Sequence, residues 1–274
     1  MHLTPDPVRT RTLSTDELRD GFLVSSLFVP GEIRLRHIDL DRVVLGGVMP
    51  GSTALKLEAP ESFASEYFTE RRELGILNIG GTGAVTTDSG RHVLAPRDVL
   101  YVGRGTREIL FESDAASPPA CYYLVSYPAH TSHPVAHIAH RDALGSEIGS
   151  ADRANRRRLS KYIYPGGAAS AQLVMGVTEL LPGSVWNTMP AHTHLRRSEV
   201  YLYFDVPPDA LVVHMMGEPA ETRHLIVRDG DVVLSPPWSV HTGCGTASYS
   251  FCWAMGGENQ DFADMQGIDT RELK

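Results

Sequence analysis

Short runs rich in Val, Ile, Leu, Tyr and Phe fill most of this chain, and Gly, Pro or Asp interrupts them. Examples are LGILNIG (74–80), CYYLVS (121–126), EVYLYF (199–204), DVVLSP (231–236) and SFCWAM (250–255). Branched and aromatic side chains fit a pleated sheet surface, and breakers at roughly 8–12-residue intervals are the rhythm of antiparallel sandwiches and barrels. No long 3.6-residue periodicity competes with this pattern. The best helical signal is TDELRDGFL, where Ser14 or Thr15 can cap a short helix. The chain is therefore expected to be all-β with few short helices.

The rhythm fails over residues 140–158, HRDALGSEIGSADRANRRR, which are charged and small without alternation. This stretch reads as a connection, giving an N-terminal domain over 1–139, a linker over 140–160 and a C-terminal domain over 161–274. The run Arg156, Arg157, Arg158 reads as a solvated surface. The two halves also resemble each other. Arg71, Arg72 and Glu73 lead into one strand-like run, and Arg196, Arg197, Ser198 and Glu199 lead into another. Asp98 follows Glu73 by 25 positions, and Asp231 follows Glu199 by 32, each opening a further strand. An internal duplication predicts two similar barrels.

Composition narrows the function. A net charge of −8 does not suit a surface that must coat phosphates, so nucleic acid is not an expected partner. The three cysteines, Cys121, Cys244 and Cys252, form no CxxC pair. A cysteine-based zinc knot is thereby excluded, and a reducing compartment is suggested. No apolar h-region and no stretch near the 18 or so apolar residues needed to span a bilayer is visible, so no membrane role and a cytoplasmic location are expected.

The chemistry concentrates in PAHTHLRRSE, residues 190–199. His192 and His194 are two positions apart, so on an extended strand both imidazoles leave one face. Glu199 lies an odd five positions beyond His194 and needs a turn through LRRS to reach the same point. In GDVVLSPPWSVH a strand ends at Ser235, Pro236 and Pro237 turn the chain, and His241 enters the next strand. Three imidazoles and a carboxylate suit Zn²⁺, Fe²⁺, Mn²⁺, Co²⁺ or Ni²⁺. His214 reads as a packed strand residue. His130, His133, His137 and His140 are irregularly spaced and make a poor ligand set.

These segments resemble the two motifs of the cupin superfamily: HxH followed by Glu, then a Gly-Pro-turn-His segment. Trp238 stands where the second motif usually has a turn glycine, which suggests a different turn and a ring lining the cavity. Aligning Glu73 on Glu199 puts Glu66 and Phe68 at the histidine positions. Aligning Asp98 on Asp231 puts Glu108 at the position of His241. The first cupin is thus expected to have lost its metal. ERRELGILNIGG, RDVLYVGRG, KYIYP, VWNTMPAHTH, HMMGEPAETRH and GENQ further resemble the 4-deoxy-L-threo-5-hexosulose-uronate ketol-isomerase family, over roughly residues 10–265.

That resemblance implies two cupin-type β-barrels or jelly rolls and one Zn²⁺ per chain on His192, His194, Glu199 and His241. It also implies a cytosolic homo-hexamer and a keto-uronate substrate from pectin breakdown. Such an isomerisation moves a carbonyl from C1 to C2 through an enediol, which needs a base and an electrophile. Lys161, Arg223 and Glu258 are candidate catalytic residues, and Trp186, Asn187, Tyr162, Tyr164 and His224 are further candidates beside them. Three other readings remain open at this level: a 5-deoxy-glucuronate isomerase of inositol breakdown, an Fe²⁺ cupin dioxygenase, and a non-catalytic sugar-binding cupin.

Overall fold

The computed structural model describes residues 1–274 apart from Ala116, Asn259 and Phe262. Its described residues form β-strands with two α-helices, Pro7–Thr10 and Thr15–Phe22, and a few single 3-10 turns. Ser14 caps the second helix as the sequence suggests. Its hydroxyl accepts from Glu17 N, and the Glu17 carboxylate accepts from Ser14 N at 2.8 Å.

The chain divides into two compact units, each discontinuous in sequence. One comprises Met1–His2, Leu27–Leu144 and Tyr162–Val174; the other comprises Leu3–Ser26, Gly145–Lys161 and Met175–Lys274. In the first unit a six-stranded sheet runs Ala136–Ile138, Val99–Val102, Arg72–Asn78, Tyr122–Pro128, Val44–Val48, Ile33–His37. A four-stranded sheet holds Leu55–Lys56, Ile109–Ser113, Gly83–Thr87 and Gly90–Leu94. Alternation explains how they close on one core. Leu74 and Ile76, Leu100 and Val102, and Tyr122 and Leu124 are paired two apart on the larger sheet. They meet Val85, Leu94, Ile109 and Phe111 of the smaller one.

The second unit is built on a seven-stranded sheet, ordered Leu23–Val24, Val232–Ser235, Arg197–Phe204, Ser250–Gly257, Val174–Leu180, Arg157–Ile163, Leu144–Ile148. A three-stranded sheet of Glu221–Val227, Val212–Glu218 and Thr242–Gly245, and the pair His192–Thr193 with Gln266–Gly267, complete it. This is the cupin-type double sheet expected from the sequence.

The duplication is visible atom by atom. Arg71 and Arg196 are exposed, whereas Arg72 and Arg197 are buried. The Arg71 carbonyl accepts from Ala129 N, and the Arg196 carbonyl accepts from Glu258 N, both at 2.9 Å. Asp98 and Asp231 close the same turn: each carboxylate accepts from the backbone N–H three residues earlier, Ala95 and Arg228. A structural role for the arginine pair follows at Arg72, whose guanidinium donates to Ser126 Oγ, Ser126 O and Arg42 O.

Candidate metal centre

The sequence folds locally so that four distant donors meet. His192 lies in the two-residue strand His192–Thr193, held by antiparallel pairing to Gly267. His194 follows at the strand's end, and a turn through Leu195 and Arg196, closed by Arg197 N on His194 O at 3.2 Å, reverses the parity. Glu199 therefore faces the same point despite its odd offset. His241 stands one residue before the strand Thr242–Gly245, brought there by a turn in which Ser239 N donates to Pro236 O.

His192 Nε2 is 3.1 Å from His194 Nε2 and 3.0 Å from His241 Nε2. Glu199 Oε2 is 3.0 Å from His194 Nε2 and 3.1 Å from His241 Nε2. One donor atom from each of the four residues lies within 4.8 Å of every other. The imidazoles are oriented from behind. His194 Nδ1 is 2.9 Å from the Asp264 carbonyl, and His241 Nδ1 is 2.9 Å from Ser235 Oγ. An Nδ1–H donating to the carbonyl leaves the Nε2 lone pair of His194 aimed at the common centre.

Burial, then the neighbouring His241, pushes the His192 imidazole down to about 2, so it is a neutral lone-pair donor at physiological pH. Burial alone would raise the Glu199 carboxyl, but the close approach of His241 and His194 outweighs it and holds the group well below the ordinary range. Several lone pairs thus converge on a carboxylate oxygen that makes no well-formed hydrogen bond. Without a cation between them such an arrangement is costly. A tetrahedral N/O shell with bonds of about 2.0–2.1 Å would use these donors with little movement. The residues fit a divalent ion.

The cluster lies in a cavity of about 440 Å³. Ile148, Leu159, Phe251, Trp253 and Met255 give it apolar walls, and Asn187, Tyr201 and Arg157 add polar groups. Tyr201 follows Glu199 by two positions and so shares its face. Its hydroxyl hydrogen-bonds Thr188 and Glu199, and burial followed by the Glu199 charge raises the phenol well above its usual value. It stays protonated and donates to the carboxylate. Behind it, Tyr203 hydroxyl is 2.6 Å from His214 Nδ1, and Asn187 Nδ2 donates to Tyr203 at 3.3 Å. His214 is a buried strand residue, as its sequence context suggests.

The other candidates are placed elsewhere. The lining of this cavity, among the described residues, does not include Lys161, Arg223 or Glu258. Arg223 donates to the carbonyls of Thr10, Arg11 and Leu13, anchoring the N-terminal segment of the same unit. Glu258 is exposed, and Asn259 of its GENQ segment lies outside the described residues. Tyr162 donates to Arg97 O and meets His140 Nδ1 at 2.6 Å. His137 pairs with Asp98 at 3.0 Å.

Two expectations are corrected. Trp238 packs edge-on against Phe22, 6.1 Å between ring centroids, and is not in the described cavity lining; its turn requires no positive φ. Arg157 does not share the solvated surface expected for its run. It lines the cavity with Leu159, while Arg156 and Arg158 are exposed. The missed signal was alternation in the strand Arg157–Ile163.

In the first unit, Glu66 and Glu108 are exposed and Phe68 is buried in the core. Among the described residues no second metal-type cluster accompanies the first.

A family model described as the KduI/IolB family matches residues 30–269. A 4-deoxy-L-threo-5-hexosulose-uronate ketol-isomerase from Opitutus terrae is 50% identical over 276 residues, covering 100% of this chain and 99% of that protein. One of the same name from Kineococcus radiotolerans is 51% identical, covering 98% of this chain and 97% of its own length. Among solved structures, an IolB-like protein from Salmonella typhimurium superposes with a TM-score of 0.73 at 14% identity, covering 90% of this chain and 96% of its own. Lactobacillus farciminis oxalate decarboxylase gives 0.59 at 11% identity, with 89% of each chain covered. These two likenesses speak to the cupin fold.

Proposed function

The chain belongs to the KduI/IolB family, and from that premise we propose that it is a metal-dependent ketol-isomerase. Its substrate in this reading is 4-deoxy-L-threo-5-hexosulose uronate, converted to 3-deoxy-D-glycero-2,5-hexodiulosonate during pectin and uronate breakdown. The observation that carries the reading is the convergence of His192, His194, Glu199 and His241 at an apolar-walled cavity. It occurs in a chain half-identical, over its whole length, to proteins named for this reaction.

These four residues would hold the ion, and the ion, when bound, supplies Lewis-acid polarisation of carbonyl and hydroxyl oxygens. The chain's own groups do the rest. The apolar walls exclude water, which strengthens every polar contact inside. The Tyr201 hydroxyl, held on Glu199 and Thr188, keeps the carboxylate oriented. Asn187, itself fixed by Gly243 N donating to its Oδ1 at 2.6 Å, presents a polar group to the cavity. The net reaction moves one proton from C2 to C1 and the hydroxyl proton from O2 to O1, so the carbonyl passes from C1 to C2.

The nitrogen-rich donor set favours zinc as the ion. The family resemblance supports a homo-hexamer acting in the cytoplasm. No helix among the described residues is long and apolar enough to cross a membrane. The first barrel, lacking the histidines, serves packing or assembly in this reading.

The test is direct. His192→Ala and His241→Ala should lose metal content and isomerase turnover together while keeping the circular dichroism of the parent. Either variant turning over the keto-uronate at the parent's rate without metal would remove the ion from the chemistry. Oxygen uptake with substrate would instead favour a dioxygenase.

A further inference from the structure

We infer that Arg157 binds the carboxylate of the sugar acid and sets a preference for uronates over neutral sugars. The inference rests on the isomerase reading and adds to it a specificity-determining residue.

Arg157 opens the strand Arg157–Ile163, whose alternation divides three consecutive arginines. Arg156 is exposed and pairs with Glu147 at 3.8 Å. Arg158 is exposed. Arg157 points the other way and is the only Lys or Arg among the described residues lining the cavity. It shares that lining with Leu159, Trp253 and Tyr201.

A guanidinium carries five N–H donors in a planar fork. Arg157 Nη1 donates to Asn155 O at 2.7 Å, and no other hydrogen bond joins its guanidinium to a described residue. No described carboxylate pairs with it either. Burial lowers its affinity for its proton, and the neighbouring phenols of Tyr201 and Tyr249 are neutral and supply no counter-charge. A half-buried cation with free donors and no counter-ion is poorly compensated, and a planar carboxylate restores two charge-assisted hydrogen bonds.

The cavity's anion is already committed. Glu199 is held among three imidazoles and the Tyr201 hydroxyl. Tyr201 lines the same cavity as Arg157 and bonds Glu199 of the ligand cluster, so a sugar acid held there can set its carboxylate at Arg157 and its carbonyl end at the cluster. Arg223 cannot take this role, because its guanidinium is spent on three backbone carbonyls.

The experiment compares the full-length, metal-loaded protein with Arg157→Gln and Arg157→Lys. Calorimetric titration with D-glucuronate and with D-glucose as probes should show the parent favouring glucuronate by about tenfold or more, since one charge-assisted pair commonly carries that much. Arg157→Gln should bring the two sugars to parity, with Arg157→Lys between. With the keto-uronate, KM should rise about 10- to 100-fold in Arg157→Gln while kcat falls less. A purely structural role would lower melting temperature and metal content without changing the glucuronate-to-glucose ratio, and that result overturns the inference. So does a parent that binds both sugars equally. A parent with no turnover of the keto-uronate overturns the isomerase reading, while the sugar ratio still decides Arg157. If Arg157→Gln fails to fold, a crystal structure of the parent soaked in D-glucuronate decides. The carboxylate on the Arg157 guanidinium supports the assignment, and a carboxylate elsewhere or an empty cavity refutes it.

Discussion

In the first unit Glu73 occupies the place that Glu199 holds in the second, but it grips the backbone. Its fully buried carboxylate accepts from Gln172 N and Leu173 N on Oε1, both at 2.8 Å. On Oε2 it accepts from Ala171 N at 2.6 Å and from the Tyr101 hydroxyl at 2.8 Å. Glu73→Ala would orphan all four donors. Four bonds to a charged group are worth about 6–12 kcal/mol gross, at about 1.5–3 each. Against this stands the cost of keeping a carboxylate out of water, several kcal/mol per ion. The net local loss should be about 3–4 kcal/mol. Amide hydrogen exchange at Ala171, Gln172 and Leu173 reads this directly. Those amides should exchange about 100- to 1,000-fold faster in the variant. Glu73→Gln keeps one acceptor and should fall between. Exchange within about threefold of the parent at all three amides would refute the clamp.

Three further outcomes are expected. Chelation should lower the unfolding midpoint, and zinc should restore it; binding at 100 times Kd stabilises by about 2.7 kcal/mol. His241→Ala should abolish this shift, and persistence of the shift would place the ion elsewhere. His214 is held down to about 3 by burial and by His241, against an ordinary 6.5. The unfolded chain therefore takes up this proton first on acidification. The stability from His214 is whole above 6.5 and shrinks as pH falls towards 3, by up to about 1.4 kcal/mol per pH unit. Denaturant titrations of metal-stripped parent and His214→Leu should diverge in slope over that window, and parallel curves would exclude His214. Arg223→Ala should cost about 2–4 kcal/mol by freeing the Thr10–Leu13 carbonyls, measured by urea unfolding. Turnover of the surviving fold should be unchanged, and a selective collapse of kcat would return Arg223 to the chemistry.

Much of this protein is legible in its residues because β-structure writes itself in local patterns. Short branched and aromatic runs between Gly, Pro and Asp breakers announced the sheets, and Ser14 before TDELRDGFL announced the helix start. The repeat of Arg-Arg before Glu73 and Glu199 announced two related halves. The donor set was equally local in character: HxH supplies two imidazoles by strand parity, and a proline turn delivers His241. Even the odd offset of Glu199 pointed to the turn at Leu195–Arg196.

The remainder depended on which side chains from distant strands share one interior, and no local pattern encodes that. Arg157 and its two neighbours are chemically identical, and only the sheet that flanks them turns one inward. Glu73 and Glu199 share a sequence context, yet one meets three backbone amides and the other three imidazoles, because different segments fold over them. Arg223 looked like a cation awaiting a ligand until the N-terminal segment filled its fork. A side chain's type and parity are properties of the chain, but its partner is decided by long-range packing.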